Sequence, residues 1–266
     1  MSSALVLVER SGFITHITLN RPASRNSLNK ETIRGLTEAF TSVSTCIDTR
    51  VVVLSGSGTE AFCAGADLTE LSASSSPESR REFFSSIATL VENITQCPMP
   101  VIAKVHGFAL AGGCGVVAAA DIAVAADDAL FGLPEVGIGL APMVVMAPLL
   151  RTIGFRATSA LALTGERISA AEALRMGLVS KVVPKDRLDA AVNELCAMLA
   201  SNGPDAVRAT KRAIADLSES GSLTFMGELA DRSALVSLSP EAEEGIAAFR
   251  EKRPAAWKPP RSSSDN

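Results

Sequence analysis

The sequence predicts an α/β fold with an all-helical C-terminal region. Three observations carry that reading. Val51-Val52-Val53-Leu54-Ser55-Gly56 is a β-branched run of strand length, followed by the small residues Cys63 to Ala66 and a helix start at Asp67-Leu68. Val101-Ile102 opens a second such unit, which turns through Gly107, reaches Ala111-Gly112-Gly113 and continues as the small apolar run Cys114 to Ala120, a buried helix. From Leu149 onward, apolar residues recur mainly at helical spacing.

The remaining elements follow in order. Leu5 to Arg10 and Phe13 to Leu19 flank Ser11-Gly12 and read as a hairpin. His16 lies in its second strand among apolar neighbours, as a packed strand histidine would. Arg21 to Ser27 is a loop, and Asn29 caps a helix carrying Ile33, Leu36, Ala39, Phe40 and Val43. Ser72 to Ser79 is polar and Ser-rich, too poor in apolar side chains to pack. A helix from Arg80 to Gln96 ends at Cys97-Pro98-Met99-Pro100. Ile122 to Ala126 and Ala129 to Phe131 are strands, and Gly132 to Pro142 is a Gly/Pro loop holding Glu135. Ile153-Gly154 interrupts the next helix, Ser169 caps Ala170 to Met176, and Leu178 to Val183 is a short strand. Four helices follow, over Leu188–Leu199, Val207–Leu217, Leu223–Leu235 and Glu241–Arg250. Asn202-Gly203-Pro204 divides a core of residues 1–202 from a helical region of 203–253, and a Pro/Ser-rich tail of 254–266 is expected to be disordered. No repeat is visible in the sequence itself.

Composition narrows the function classes. The 266 residues are 47% hydrophobic and 20% charged, with a net charge of -4, which suits a globular chain with a large core. A nucleic-acid footprint would be basic, so no nucleic-acid partner is expected. No uncharged run reaches the roughly 20 residues a membrane span needs, and no membrane partner is expected. The five cysteines form no C-x-x-C pair, which fits a reducing, cytoplasmic setting with buried thiols and no metal site. The first residues lack the pattern of a secretory signal.

The two strand–turn–helix units suggest a shared purpose. The first N–H groups of a helix have no internal partner, and the helix dipole makes that end positive. Neither G-x-x-x-x-G-K-[ST] nor G-x-G-x-x-G occurs, so a nucleotide phosphate is not the obvious guest. An oxygen that turns negative during a reaction is an alternative, and glycines that merely allow tight helix packing are another. Glu135, the only carboxylate between Asp128 and Glu166, sits beside apolar residues. It is a candidate general base, against the plainer reading of an exposed loop acid.

Arg21-Pro22, Asn26 to Asn29, Phe62 to Leu68, His106 to Cys114, Phe131 to Gly139 and Gly165 to Val183 together resemble the enoyl-CoA hydratase/isomerase (crotonase) superfamily. The resemblance runs from Leu5 to Lys252. It implies a crotonase-like spiral of ββα units with a C-terminal α-helical trimerisation region, acting on an acyl-CoA thioester as a homotrimer or dimer of trimers. Coenzyme A would be part of the substrate, and no separate cofactor is implied. By resemblance, the backbone N–H groups of Ala66 and Gly112 hold the thioester oxygen and Glu135 is the acid/base. Ser24, Arg25, Ser27, Ala64, Asp67 and Leu68 border the CoA and acyl group, Arg25 standing where a cation can meet phosphate or remaining a solvated loop arginine. Asp67 is expected to cap or turn the chain. Phe249 and Lys252 fall where a neighbouring subunit lends an aromatic and a cation, or else they simply end a helix.

The chain departs from the hydratase pattern at one place. Family hydratases use two glutamates, the second just after Gly-Gly-Cys; here that position is Gly115. One carboxylate is enough to shuttle a proton between C2 and C4, so the resemblance favours Δ3,Δ2-enoyl-CoA isomerisation. Hydration of 2-enoyl-CoA in fatty-acid or branched acyl-CoA degradation stays open. So do thioester hydrolysis, decarboxylation and non-catalytic acyl-CoA binding. Cys114 has no paired base and reads as a buried helix cysteine.

Overall fold

The computed structural model describes residues 4–73, 76–220 and 226–258. Among the described residues ten strands form two sheets, six strands in the first and four in the second. The larger sheet opens with the hairpin β1 (Val6–Ser11) and β2 (Ile14–Leu19), turned at Gly12 with φ +58. It continues through β3 (Val51–Gly56), β5 (Val101–Val105), β7 (Ile122–Ala126) and β10 (Lys181–Val183), all parallel from β2 onward. Parallel strands covered on both faces need no alternation of apolar and polar residues. Accordingly Val52, Leu54, Val101 and Ala103 face the main core, while Val51, Val53, Ile102 and Val124 pack on α7 (Leu188–Ala200) through Leu188, Val192 and Cys196.

The smaller sheet orders β4 (Ala61–Cys63), β6 (Phe108–Leu110), β8 (Leu130–Gly132) and β9 (Arg167–Ser169). β3, β5 and β7 are each followed by a short strand in the other sheet, then by a helix or loop, which makes the winding turns of a ββα spiral. Helix α1 (Lys30–Ser44) is capped by Asn29, whose side chain accepts from Thr32 N, and buries Ile33, Leu36, Phe40 and Val43 as expected. Helices α2 (Leu68–Ala73), α3 (Pro77–Gln96) and α4 (Gly112–Ala119) complete the first two turns. α5 (Met146–Thr164) is broken at Gly154, and α6 (Ala170–Met176) begins with a full capping box between Ser169 and Glu172. α8 (Pro204–Ser220), α9 (Met226–Ser237) and α10 (Pro240–Arg250) form the C-terminal region.

Several expectations are corrected. α3 starts at Pro77 rather than Arg80, because Ser76 caps it and Pro77 fits the first turn, where its missing N–H costs nothing. Ser74 and Ser75, in the segment expected to be unpacked, lie outside the described residues. The helix after Gly107 starts at Gly112 rather than Cys114, with the short strand β6 before it. β9 was not anticipated; it runs antiparallel to β8 and is too short to have a periodicity. The loop at Arg21–Ser27 contains a 3-10 turn, Pro22–Ser24. The stretch from Pro254 was expected to be disordered, yet Ala255 is buried and Trp257 O accepts from Arg50 Nη1 at 2.6 Å. The rest of that tail, residues 259–266, lies outside the described residues. Among the described residues no helix is long and apolar enough to cross a membrane, and no cluster of three or more His, Cys, Asp or Glu could hold a metal.

Candidate active site

The smaller sheet delivers two backbone turns to one place. After β4, Leu28 N–H donates to Gly65 O at 2.7 Å and Asp67 N–H donates to Leu28 O at 2.9 Å. That is a parallel bridge between Leu28 and Ala66. Such a bridge uses the groups flanking Ala66, so the Ala66 N–H points to the other side. After β6, Gly112 is the first residue of α4, and its N–H has no carbonyl partner in the helix. The turns touch. A Cβ on Gly65 would stand 2.5 Å from Ala111 Cβ and 3.0 Å from Gly112 N, and one on Gly112 would stand 3.8 Å from Ala66 N. Gly65 has φ +95, which only glycine adopts freely. Ala111 is held at φ 52, ψ -125 while its N–H donates to Gly132 O at 2.9 Å. A residue with a Cβ pays about 1–3 kcal/mol for such backbone, so the turn is over-determined by its surroundings.

Ala66, Gly112 and Glu135 line one cavity of about 290 Å³. Leu71 from α2, and Phe84 and Ile87 from α3, supply apolar walls. Glu135 follows β8 in a 3-10 turn, Pro134–Ile138, closed by Gly139 in the left-handed region. Its Oε2 is buried and has no hydrogen-bond partner. Burial pushes the carboxyl above its usual range, with a partial offset from its own backbone N–H. A carboxylate so placed is ready to take a proton and holds it more firmly than a solvated one. Cys114 stands behind it; burial drives that thiol up to about 12, so it is no nucleophile.

A larger cavity, of about 710 Å³, lies under α8 against α4, α5 and α7. Its acid, Asp121, already accepts from Val101 N–H and Lys211 Nζ. The smaller cavity is lined by a carboxylate with an unpartnered buried oxygen and by the two turns at Ala66 and Gly112, which makes it the candidate site.

Five of the sequence-predicted residues come together in that cavity: Ala64, Ala66, Leu68, Gly112 and Glu135. Asp67 does not line it. Its Oδ2 pairs with Arg21 at 3.0 Å and accepts from Ser27 Oγ at 3.2 Å, while Oδ1 accepts from Thr69 N at 3.1 Å, so it caps α2 as expected. Burial raises its pKa, but the hydrogen bonds from Arg21, the Glu70 backbone and Ser27 outweigh it and hold the group low. Ser24 and Arg25 are exposed and do not line the cavity, and Arg25 O accepts from Ala64 N at 3.0 Å. Buried Asn26 fixes this loop, donating from Nδ2 to Ser57 O at 2.9 Å and Ala61 O at 2.7 Å. The Arg25 guanidinium pairs with Glu60 at 3.0 Å, with both side chains exposed. Phe249, 85% exposed, and Lys252, also exposed, do not line the cavity of their own chain. His16 stays in the sheet opposite Glu9.

Sequence reasoning missed Ala111, Val145 and Arg167, which also line the cavity. Nothing in the apolar run Met143 to Met146 distinguishes Val145. Only a glycine inside a buried helix, Gly115, signalled a close neighbour. A Cβ on Gly115 would stand 2.2 Å from Val145 Cγ1.

Comparison with known proteins shows the family and the fold. The family model for enoyl-CoA hydratase/isomerase matches residues 9–260. A crotonyl-CoA hydratase of Syntrophomonas wolfei is 35% identical over 251 residues, covering 94% of this chain and 96% of that protein. A short-chain-enoyl-CoA hydratase of Clostridium acetobutylicum is 36% identical over 211 residues, covering 79% of this chain and 80% of that protein. The crystal structure of an enoyl-CoA hydratase from Bacillus anthracis superposes with a TM-score of 0.89 at 37% identity, covering 96% of this chain and 99% of that one.

Proposed function

This chain belongs to the enoyl-CoA hydratase/isomerase family of acyl-CoA enzymes, and from that premise we propose that it moves a double bond in an enoyl-CoA from C3 to C2. Glu135 removes a proton from C2, the electrons pass into the thioester, and the resulting dienolate oxygen is held by the N–H groups of Ala66 and Gly112. The protonated Glu135 then returns the proton to C4, leaving a conjugated 2-enoyl thioester. Each N–H donor to such an oxygen contributes on the order of 3 kcal/mol to the barrier reduction. Among the described residues Glu135 is the one carboxylate lining the cavity that also holds both amides, and this observation carries the reading. The chemistry calls for no cofactor beyond the coenzyme A of the substrate. Ser24, Arg25, Ser27 and Asp67 border the CoA end, and Phe249 and Lys252 serve a neighbouring subunit's site in a cytoplasmic homotrimer or dimer of trimers.

A second reading is hydration of 2-enoyl-CoA, favoured by the names of the relatives. Purified protein given 3-enoyl-CoA and 2-enoyl-CoA separates the two. Isomerisation forms the conjugated thioester from the first substrate; hydration consumes it in the second. Rapid hydration that survives Glu135→Gln would refute the proton-shuttle role.

A further inference from the structure

Val145 closes the short 3-10 turn Met143–Val145 just before α5 and is only 3% exposed. It touches two things at once. Its side chain lines the cavity that holds Glu135. It also fills the notch that Gly115 leaves on α4, where a Cβ would meet Val145 Cγ1 at 2.2 Å and Cβ at 2.4 Å. Gly115 lies three residues beyond Gly112, so it shares that helix's face with the amide that would hold the thioester oxygen. The neighbouring lining residues Leu140, Ala141, Pro142, Met143 and Val144 are all apolar. Among the described residues, Glu135 and Arg167 are the only ionisable side chains on the cavity wall.

A water molecule that is to attack a substrate must first be held, which takes two to four polar partners. The α4 wall around Val145 offers none from its side chains. We propose that Val145 is a specificity-determining residue: seated in the Gly115 notch, it keeps this wall dry and confines Glu135 to passing a proton between carbons of the acyl chain. Addition of water would need O–H cleavage, with hydroxyl delivered to C3 and a proton to C2. The wall that would hold the hydroxyl donor is a valine packed on a glycine. This inference rests on the isomerase reading proposed above. It adds that the reaction is set by an apolar contact as well as by a missing acid, and that a carboxylate at 115 alone would not restore hydration.

The test measures both reactions in wild type, Val145→Ala, Val145→Ser, Gly115→Glu and the Gly115→Glu/Val145→Ala double variant, with 3-hydroxyacyl-CoA and 2-enoyl-CoA separated by chromatography. Wild type should isomerise 3-enoyl-CoA and form little 3-hydroxyacyl-CoA. Val145→Ser should raise the ratio of hydration to isomerisation by about tenfold or more, since it opens space and adds a hydroxyl that can hold water. The double variant should hydrate about 10²-fold faster than wild type, the low end of what a placed acid/base group supplies. Gly115→Glu alone should stay near wild type in hydration or fail to fold. An unchanged ratio in folded Val145→Ala and Val145→Ser overturns the inference. So does a Gly115→Glu single variant that hydrates as fast as the double. Either result leaves an active isomerase and the proposed function standing. A wild type that hydrates faster than it isomerises, or turns over neither substrate, removes the function and this inference with it.

Discussion

At the scale of a single residue, the proposed reaction rests on Glu135. Its carboxyl is raised by burial, and Oε2 finds no donor. As a base it works only when ionised. kcat/KM for isomerisation should therefore be full above the raised pKa and fall as pH drops through it, with the acid limb above the usual carboxylate range. Glu135→Gln should lower kcat by about 10²- to 10⁴-fold and remove that limb from the residual activity. Stability should move the other way. A carboxyl with a raised folded pKa penalises folding once pH exceeds its unfolded value, so Glu135→Gln should raise the denaturation midpoint at neutral pH. The gain should vanish in acid below the ordinary carboxylate pKa, where both states are protonated. A denaturant titration at the two pH values checks the sign. Glu135 could be nominated from sequence because it stands alone in a Gly/Pro loop. That it is half-buried with an orphaned oxygen depends on β8, α4 and the turn before α5, which no local pattern reports.

At the scale of the element, the site is a junction of two turns, and its glycines have separable duties. A Cβ on Gly112 meets only ordinary contacts, Leu28 Cδ1 at 3.4 Å and Gly65 Cα at 3.6 Å, but projects to 3.8 Å from Ala66 N. Gly112→Ala should fold normally and lose about 10²- to 10³-fold in kcat/KM, because its methyl crowds the space of the oxyanion. A Cβ on Gly113 would lie 2.2 Å from Cys63 O. Gly113→Ala should therefore destabilise by about 1–3 kcal/mol or more, as overpacking does. Chemical denaturation beside the activity assay separates the two. Ala111, at φ 52, should gain about 1 kcal/mol on replacement by glycine, which relieves the strained backbone. The long strands and the helices with clear apolar stripes were legible because their periods are written in the chain. β6, β9 and the onset of α3 were not, for different reasons. The two strands have three residues each, too few for a period, and take their conformation from partners far away in sequence. The start of α3 was signalled by Ser76-Pro77, but the surrounding serines masked it.

At the scale of the whole molecule, the spiral brings Ala66, Gly112 and Glu135 to one cavity beside the smaller sheet and leaves the C-terminal helices with apolar side chains in the open. Leu235 is 70% exposed, Ile246 55% and Phe249 85%. Scattered exposed apolar residues are ordinary; in the proposed trimer these would be buried against further copies of the chain. Light scattering should give a trimer or hexamer mass, and a monomer at working concentration would contradict the lending of Phe249 and Lys252 between subunits. The central claim is narrower: one oxygen is shared by two amides brought together from distant turns. The most direct measurement is a crystal structure with an unreactive acyl-CoA analogue. The account predicts the thioester oxygen about 2.7–3.1 Å from both Ala66 N and Gly112 N, with the Glu135 carboxyl against C2 and C4. A thioester oxygen bound to neither amide, or a Glu135 side chain turned away from the acyl carbons, would contradict it.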